Sequence, residues 1–255
     1  MAYAHVSLAS DVLRMSTSVA LVLPQRATTQ IGTTGREPAG DPPVLYLLHG
    51  LSDDETAWTR RTSIERYAEE AGIAVVMPRV ERSFYQDMAH GERYWTYVSQ
   101  ELPELVQRMF RVSDRREDTF VAGQSMGGYG AMRMALAHPE RFAAAASLSG
   151  ALHMAHPQVR AERGDFYATA FGEADITGTD ADLLALLRRR DLAELPALML
   201  ACGEQDDLLP MQHAFLAVAA DVGVPVSVSL TPGEHEWGYW DARIRDVVDW
   251  LPVRR

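Results

Sequence analysis

Hydrophobic residues recur along this chain with two different periods. Residues 5–9 and 17–23 alternate polar and apolar side chains, as antiparallel strands with one buried face do. Further along, the alternation gives way to short apolar runs at 44–48, 73–77, 119–122, 143–148, 197–201 and 224–230. Runs of that length predict strands covered on both faces, as in a parallel sheet. Between them, residues 63–71, 97–110, 126–137, 181–188, 210–222 and 241–251 carry helical spacing. Strand–helix alternation predicts an α/β fold, a doubly wound and mostly parallel sheet with an antiparallel N-terminal edge. Residues 27–43, rich in Thr, Gly and Pro, read as a mobile connection between strands. Residues 150–180 are less regular and read as a cap or loop insertion over one end of the sheet. No repeat or linker divides the chain, so residues 1–255 are expected to form a single domain.

Composition narrows the function classes. An α/β domain of 255 residues buries about three quarters of the surface its unfolded chain exposes, so it needs no disulfide or metal staple. The single cysteine, Cys202, rules out an intrachain disulfide and argues against a Cys-based zinc site. It reads as a buried, inert thiol at a strand end. No metal or cofactor is expected. The net charge of −11 argues against nucleic-acid or anionic-membrane partners, which reward clustered Lys and Arg. Asp11 and Arg14 interrupt the first apolar stretch, and residues 19–23 are too few to span a bilayer. A cytoplasmic protein is expected, with self-association left open.

The chemistry concentrates in three loops. Gly123-Gln124-Ser125-Met126-Gly127 matches the G-x-S-x-G nucleophile elbow. The pattern alone arises by chance in roughly one chain in ten of this length. Here a short strand runs into it and a helix leaves it, which is the context the motif requires. A serine hydroxyl is a weak nucleophile at neutral pH and needs a base beside it. Partners in this arrangement follow in the order serine, acid, histidine. Of the late histidines, His213 falls inside a helix, whereas His235 falls in the turn after the last strand. His235 is therefore the candidate base. The loop 203–207 after the preceding strand offers Glu204, Asp206 and Asp207 as the acid. Position favours Asp206, with Asp207 second, and spacing alone does not separate them. Two backbone amides must also meet the developing oxyanion. The candidates are Met126, directly after the nucleophile, and Leu51, in the loop His49-Gly50-Leu51-Ser52-Asp53. His49 reads as a brace for that loop, since one base suffices. Trp58 and Trp237 are candidate substrate-binding residues, and the Met126 side chain is expected to contact substrate.

Taken together, these motifs resemble the esterase D group of α/β hydrolases, over nearly the whole chain. The group contains S-formylglutathione hydrolases, small tributyrin-type carboxylesterases and some feruloyl esterases. The resemblance rests on Leu48-His49-Gly50-Leu51 with Trp58, Arg82-Ser83-Phe84-Tyr85, the elbow through Tyr129-Gly130, Cys202-Gly203 with Asp206, and Pro232-Gly233-Glu234-His235-Glu236-Trp237. The group's acid falls on Asp206. Tyr129-Gly130 and the run from Trp237 to Asp241 look more like the tributyrin-type esterases. The resemblance implies an α/β-hydrolase fold and hydrolysis of small-molecule, short-chain acyl esters through an acyl-enzyme. S-formyl-thiol hydrolysis and feruloyl-ester hydrolysis are the alternatives. Acyl transfer to another acceptor and a catalytically silent binding protein are more distant ones.

Overall fold

The computed structural model describes residues 1–25, 31, 35 and 40–253. Most of the connection expected over residues 27–43 therefore lies outside the described residues. Strands β1 (Ala2–Ser10) and β2 (Met15–Leu23) form an antiparallel pair, with Ala2 opposite Leu23 and Ser10 opposite Met15. After them come β3 (Val44–Leu48), α1 (Ala57–Arg61), α2 (Ile64–Ala71) and β4 (Ala74–Pro78). A short α3 (Tyr94–Thr96) continues through a π-helical stretch, Tyr97–Glu101, into α4 (Leu102–Met109). The remaining elements are β5 (Thr119–Gln124), α5 (Met126–Ala137), β6 (Ala144–Leu148), α6 (Pro157–Phe171), α7 (Leu183–Arg188), β7 (Ala197–Gly203), α8 (Leu209–Val222), β8 (Val226–Thr231) and α9 (Trp237–Trp250).

The strands form one sheet in the order β1-β2-β4-β3-β5-β6-β7-β8. β2 runs antiparallel to both its neighbours, and β3 to β8 are mutually parallel. This is the α/β-hydrolase topology. Side chains alternate across the sheet between two apolar layers. Tyr46, Leu48, Val121 and Ala145 face one layer with α5, α7 and α8, while Leu45, Leu47, Phe120 and Ala146 face the other with α2 and α9. Each fully buried Leu or Phe in these layers contributes about 1.5–3 kcal/mol. Among the described residues no helix is long and apolar enough to cross a membrane.

The structure departs from the sequence expectations in four places. β8, expected to be covered on both faces, is the edge strand of the sheet and is partly exposed, Val228 included. β2 is covered on both faces over residues 19–22, where apolar layers pack on each side of the sheet; Val19 and Leu21 join one layer, Ala20 and Val22 the other. The stretch 150–180 contains a fifteen-residue helix, α6, broken at Gly164 (φ 32°, ψ −117°). A glycine amid the mostly charged residues 160–165 hid its apolar face, which buries Val159, Tyr167 and Ala170. Phe84 holds that helix down, with ring centroids 5.4 Å from Phe166 and 5.6 Å from Phe171. α9, finally, starts at Trp237, four residues before the expected start at 241.

Candidate active site

Ser125 occupies the sharp turn where β5 becomes α5, with φ 55° and ψ −117°. A residue carrying a Cβ adopts that conformation at a cost of about 1–3 kcal/mol. The surroundings hold it there. The Ser125 amide donates to the Leu148 carbonyl at 2.9 Å, and the Ser125 carbonyl accepts from Tyr129 and Ala151, both at 3.1 Å. The flanking glycines are steric requirements. A Cβ on Gly123 would fall 2.4 Å from the Gly127 carbonyl group, and one on Gly127 would fall 2.2 Å from the Leu48 oxygen. Helix and strand can approach this closely only with no side chain between them.

The structure brings His235 and Asp206 to this serine. His235 Nε2 lies 3.1 Å from Ser125 Oγ, and Nδ1 lies 2.9 and 3.1 Å from the two Asp206 oxygens. An ionised carboxylate can only accept, so Nδ1 carries the proton and Nε2 is left free to take one from Ser125. Loops after β7 and β8 are stitched to each other to hold this pair. Glu204 and Gln205 amides donate to the Thr231 and Gly233 carbonyls at 2.9 and 3.0 Å. The Gly233 amide returns a bond to Gln205 Oε1 at 2.8 Å. A Cβ on Gly203 would lie 2.2 Å from the Gly233 oxygen, so this crossing also demands glycine.

The side chain of Asp206 is fully buried. Burial alone would push its carboxyl up, but bonds from His235, Ser149 and the Leu208 amide outweigh burial and hold it below the usual value. Ser149 also accepts from Trp240 Nε1 at 3.1 Å, and the Trp240 ring meets His235 edge-on at 4.8 Å. Nothing local in the sequence marks Ser149, which follows β6 and reaches Asp206 only through the sheet. Asp207 and His213 are exposed. Cys202 is buried, and burial pushes its thiol up to about 12, so it stays protonated.

The loop after β3 carries Leu51. His49 is buried and neutral there, because burial lowers its pKa against the upward pull of the Gly50 carbonyl and of Asp53, Asp54 and Glu55. Its Nδ1–H donates to the Gly50 carbonyl at 2.7 Å, and its Nε2 accepts from the Val80 amide at 3.1 Å. Both ring nitrogens are occupied in holding backbone. Neither the Leu51 nor the Met126 amide donates to another group among the described residues.

These elements open onto a cleft of about 700 Å³ lined by Leu51, Asp53, Gln124, Ser125, Arg163, Asp207, Leu208, His235, Glu236, Trp237 and Trp240. Trp237 is on its wall. Trp58 is not. It is fully buried, donates to the Leu48 carbonyl at 3.1 Å, and packs edge-on behind Trp237 at 5.2 Å. The Met126 side chain likewise lies in the core, fully buried in the layer that packs under α5, and is not among the cleft residues. Arg163, from α6, adds a guanidinium that sequence spacing did not single out. Among the described residues no group of three or more His, Cys, Asp or Glu could hold a metal ion.

A sheet whose carboxyl edge gathers a strained serine, a histidine and a buried aspartate defines a serine hydrolase of the α/β-hydrolase class. The family model described as "Putative esterase" matches residues 10–251, and the chain belongs to that esterase family. It is a carboxylic ester hydrolase. An acetyl esterase of Caldicellulosiruptor saccharolyticus is 28% identical over 267 residues, covering 98% of each chain. Among solved structures, the fluorophosphonate-binding serine hydrolase FphF of Staphylococcus aureus shares 35% identity over 98% of each chain, with a TM-score of 0.87. The S-formylglutathione hydrolase FrmB of the same organism shares 33% identity over 98% of each chain, with a TM-score of 0.82.

Proposed function

We propose that the protein hydrolyses short-chain acyl esters through an acyl-enzyme on Ser125, with His235 as general base, Asp206 orienting it, and the Leu51 and Met126 amides as oxyanion donors. The observation that carries this reading is the unbroken hydrogen-bonded line from buried Asp206 through His235 to Ser125 at the floor of an open cleft. Ser125 Oγ adds to the ester carbonyl carbon while His235 Nε2 takes its proton. The carbonyl electron pair moves onto oxygen, where the two amides meet it. Collapse expels the alcohol, which receives the proton from Nε2, and leaves an acyl-serine. Water then adds to that ester with His235 as base, the acid departs, and the proton returns to Ser125. Asp206 stays ionised throughout and stabilises the transient imidazolium.

The cleft walls support a short acyl group. Four apolar side chains, Leu51, Leu208, Trp237 and Trp240, line the cleft near Ser125, and the carboxylates of Asp53, Asp207 and Glu236 and the Arg163 guanidinium bound them. A fitting methylene adds about 1 kcal/mol to transition-state binding, whereas one laid against carboxylates and a guanidinium adds little. The 28% identity with an acetyl esterase supports the same reading. The deciding experiment is p-nitrophenyl acetate hydrolysis by the parent protein and by Ser125→Ala. The variant should lose about 10⁴–10⁶ in kcat. Retention of more than about a tenth of the parent rate, with contamination excluded, removes Ser125 from the role.

The likeness to an S-formylglutathione hydrolase favours a second reading, thioester hydrolysis by the same residues. Paired oxygen esters and thioesters of one acyl group separate the two by their kcat/KM. The proposal also takes the protein as cytoplasmic, acting on a small-molecule ester without nucleic-acid or membrane partners; cell fractionation checks the location.

A further inference from the structure

The two candidate oxyanion amides belong to different elements. The Met126 N–H opens α5, and the Leu51 N–H sits in the loop after β3. Stabilising a developing oxyanion needs both at hydrogen-bond distance from one point, so a displacement of a few tenths of an ångström weakens the pair. One side chain touches both elements from behind. Tyr85 is fully buried, in the loop after β4, and does not line the cleft. Its ring lies against the α5 backbone, so close that a Cβ on Gly130 would fall 2.6 Å from two ring carbons. Its hydroxyl donates to the His49 carbonyl at 3.0 Å.

That bond acts one peptide ahead of the Leu51 amide, and the two peptides are held in sequence. Holding the His49 carbonyl fixes the plane of the peptide joining residues 49 and 50. In the next peptide, the Gly50 carbonyl is held by His49 Nδ1–H at 2.7 Å and by the Asp53 amide at 3.3 Å. Across a planar trans peptide the N–H points opposite to the C=O, so these bonds aim the Leu51 N–H away from His49. Tyr85 is itself anchored to the nucleophile helix. Arg133, one turn beyond Gly130, donates Nη1 to the Tyr85 carbonyl at 2.6 Å and to Gln86 Oε1 at 2.8 Å. The Arg133 guanidinium lies 3.9 Å from the Trp95 ring centroid. Phe84 and Tyr85 both have positive φ, 51° and 52°, a backbone state that non-glycine residues hold only when their surroundings impose it.

We propose that Tyr85 is a positioning residue for the reaction, its ring spacing the oxyanion loop from α5 and its O–H orienting the loop's amide toward the same point as the amide of Met126. The inference rests on the assignment of Leu51 and Met126 as the oxyanion donors. A tyrosine that only filled the core would affect stability when altered and leave each folded molecule fully active. A positioning residue predicts a loss confined to the transition state.

Tyr85→Phe keeps the ring against Gly130 and removes only the bond to the His49 carbonyl. Per site titrated with a fluorophosphonate, kcat on p-nitrophenyl acetate should fall about 10-fold, a fraction of the 10²–10³ lost when an oxyanion donor is deleted outright. KM should stay within about twofold, and affinity for a trifluoromethyl ketone should fall by the same factor as kcat/KM. A kcat per titrated site within about twofold of the parent overturns the proposal, as does a fall in kcat with undiminished ketone affinity. Should Tyr85→Phe not fold, Gly130→Ala is read on the same measurements; its Cβ displaces the ring while the hydroxyl remains. Ser125→Ala is assayed beside them. Activity in that variant would bring down the nucleophile assignment, whereas an inactive Ser125→Ala beside a fully active Tyr85→Phe would bring down the positioning role alone.

Discussion

Replacing Asp206 by Asn tests the orienting group most directly. The carboxylate accepts from His235 Nδ1 at 2.9 and 3.1 Å, from the Leu208 amide at 2.8 Å, and from Ser149. An amide offers one accepting oxygen in place of two. With that oxygen kept toward the Leu208 amide, the NH₂ faces His235 Nδ1, and two donors meet. The imidazole relieves the conflict by moving its proton to Nε2, the atom that must accept from Ser125. The comparable change in a serine protease triad costs about 10⁴ in kcat, or about 5 kcal/mol at 1.36 kcal/mol per decade. The site is buried, so an imperfectly met donor should also cost about 1–3 kcal/mol of stability. For a chain of this size that lowers Tm by about 2–4 °C per kcal/mol. Asp207 is exposed, and Asp207→Asn should change kcat by less than about threefold, as expected for a solvent-screened charge. The assay is kcat on p-nitrophenyl acetate at one pH near 8, normalised to titrated sites, with thermal melts alongside. Equal losses in the two variants, or the larger loss at Asp207, would refute the assignment.

Ser125→Gly should melt above Ser125→Ala, by about 1 kcal/mol, because only glycine relieves the positive φ; the ordinary order, with alanine the more stable, would mean the elbow is unstrained. Specificity constants for p-nitrophenyl esters should peak at roughly two to four acyl carbons and drop steeply by about eight, and a maximum at eight or beyond would require an apolar channel that the cleft lining lacks. Stability should fall as the solution is acidified below about pH 6.5. Burial lowers the pKa of His49 in the folded chain, so below the ordinary value the unfolded chain binds more protons and gains on the folded one. His138 and His153, also lowered chiefly by burial, add to that slope. His49→Asn should flatten Tm against pH between about 7.5 and 5, and an unchanged slope would remove His49 from the balance.

Much of this protein was legible along the chain, because the deciding signals are local. Apolar runs located the six parallel strands, each to within two residues at either end. The elbow announced Ser125 because a tight strand-to-helix turn admits only glycine at 123 and 127, and steric exclusion is written in residue identity. His235 followed from its place in the turn after β8. Asp206 was favoured over Asp207 by position and family resemblance; in the folded chain the two adjacent carboxyls diverge, one buried against His235 and the other in solvent. Only the tertiary structure decided where side chains go once elements pack. Trp58 looked like a pocket residue and lies behind Trp237; the Met126 side chain looked exposed to substrate and fills the core. α6 escaped notice because Gly164 breaks its periodicity, while its buried face is defined by aromatic partners as distant in sequence as Phe84. Ser149 carries no local mark at all, and Tyr85 and Trp240 stand in motifs of the family resemblance that do not reveal what they touch. Each acts through a hydrogen bond to a group at least 36 residues away, and such a bond depends on how the sheet's loops meet, which no short stretch of chain encodes.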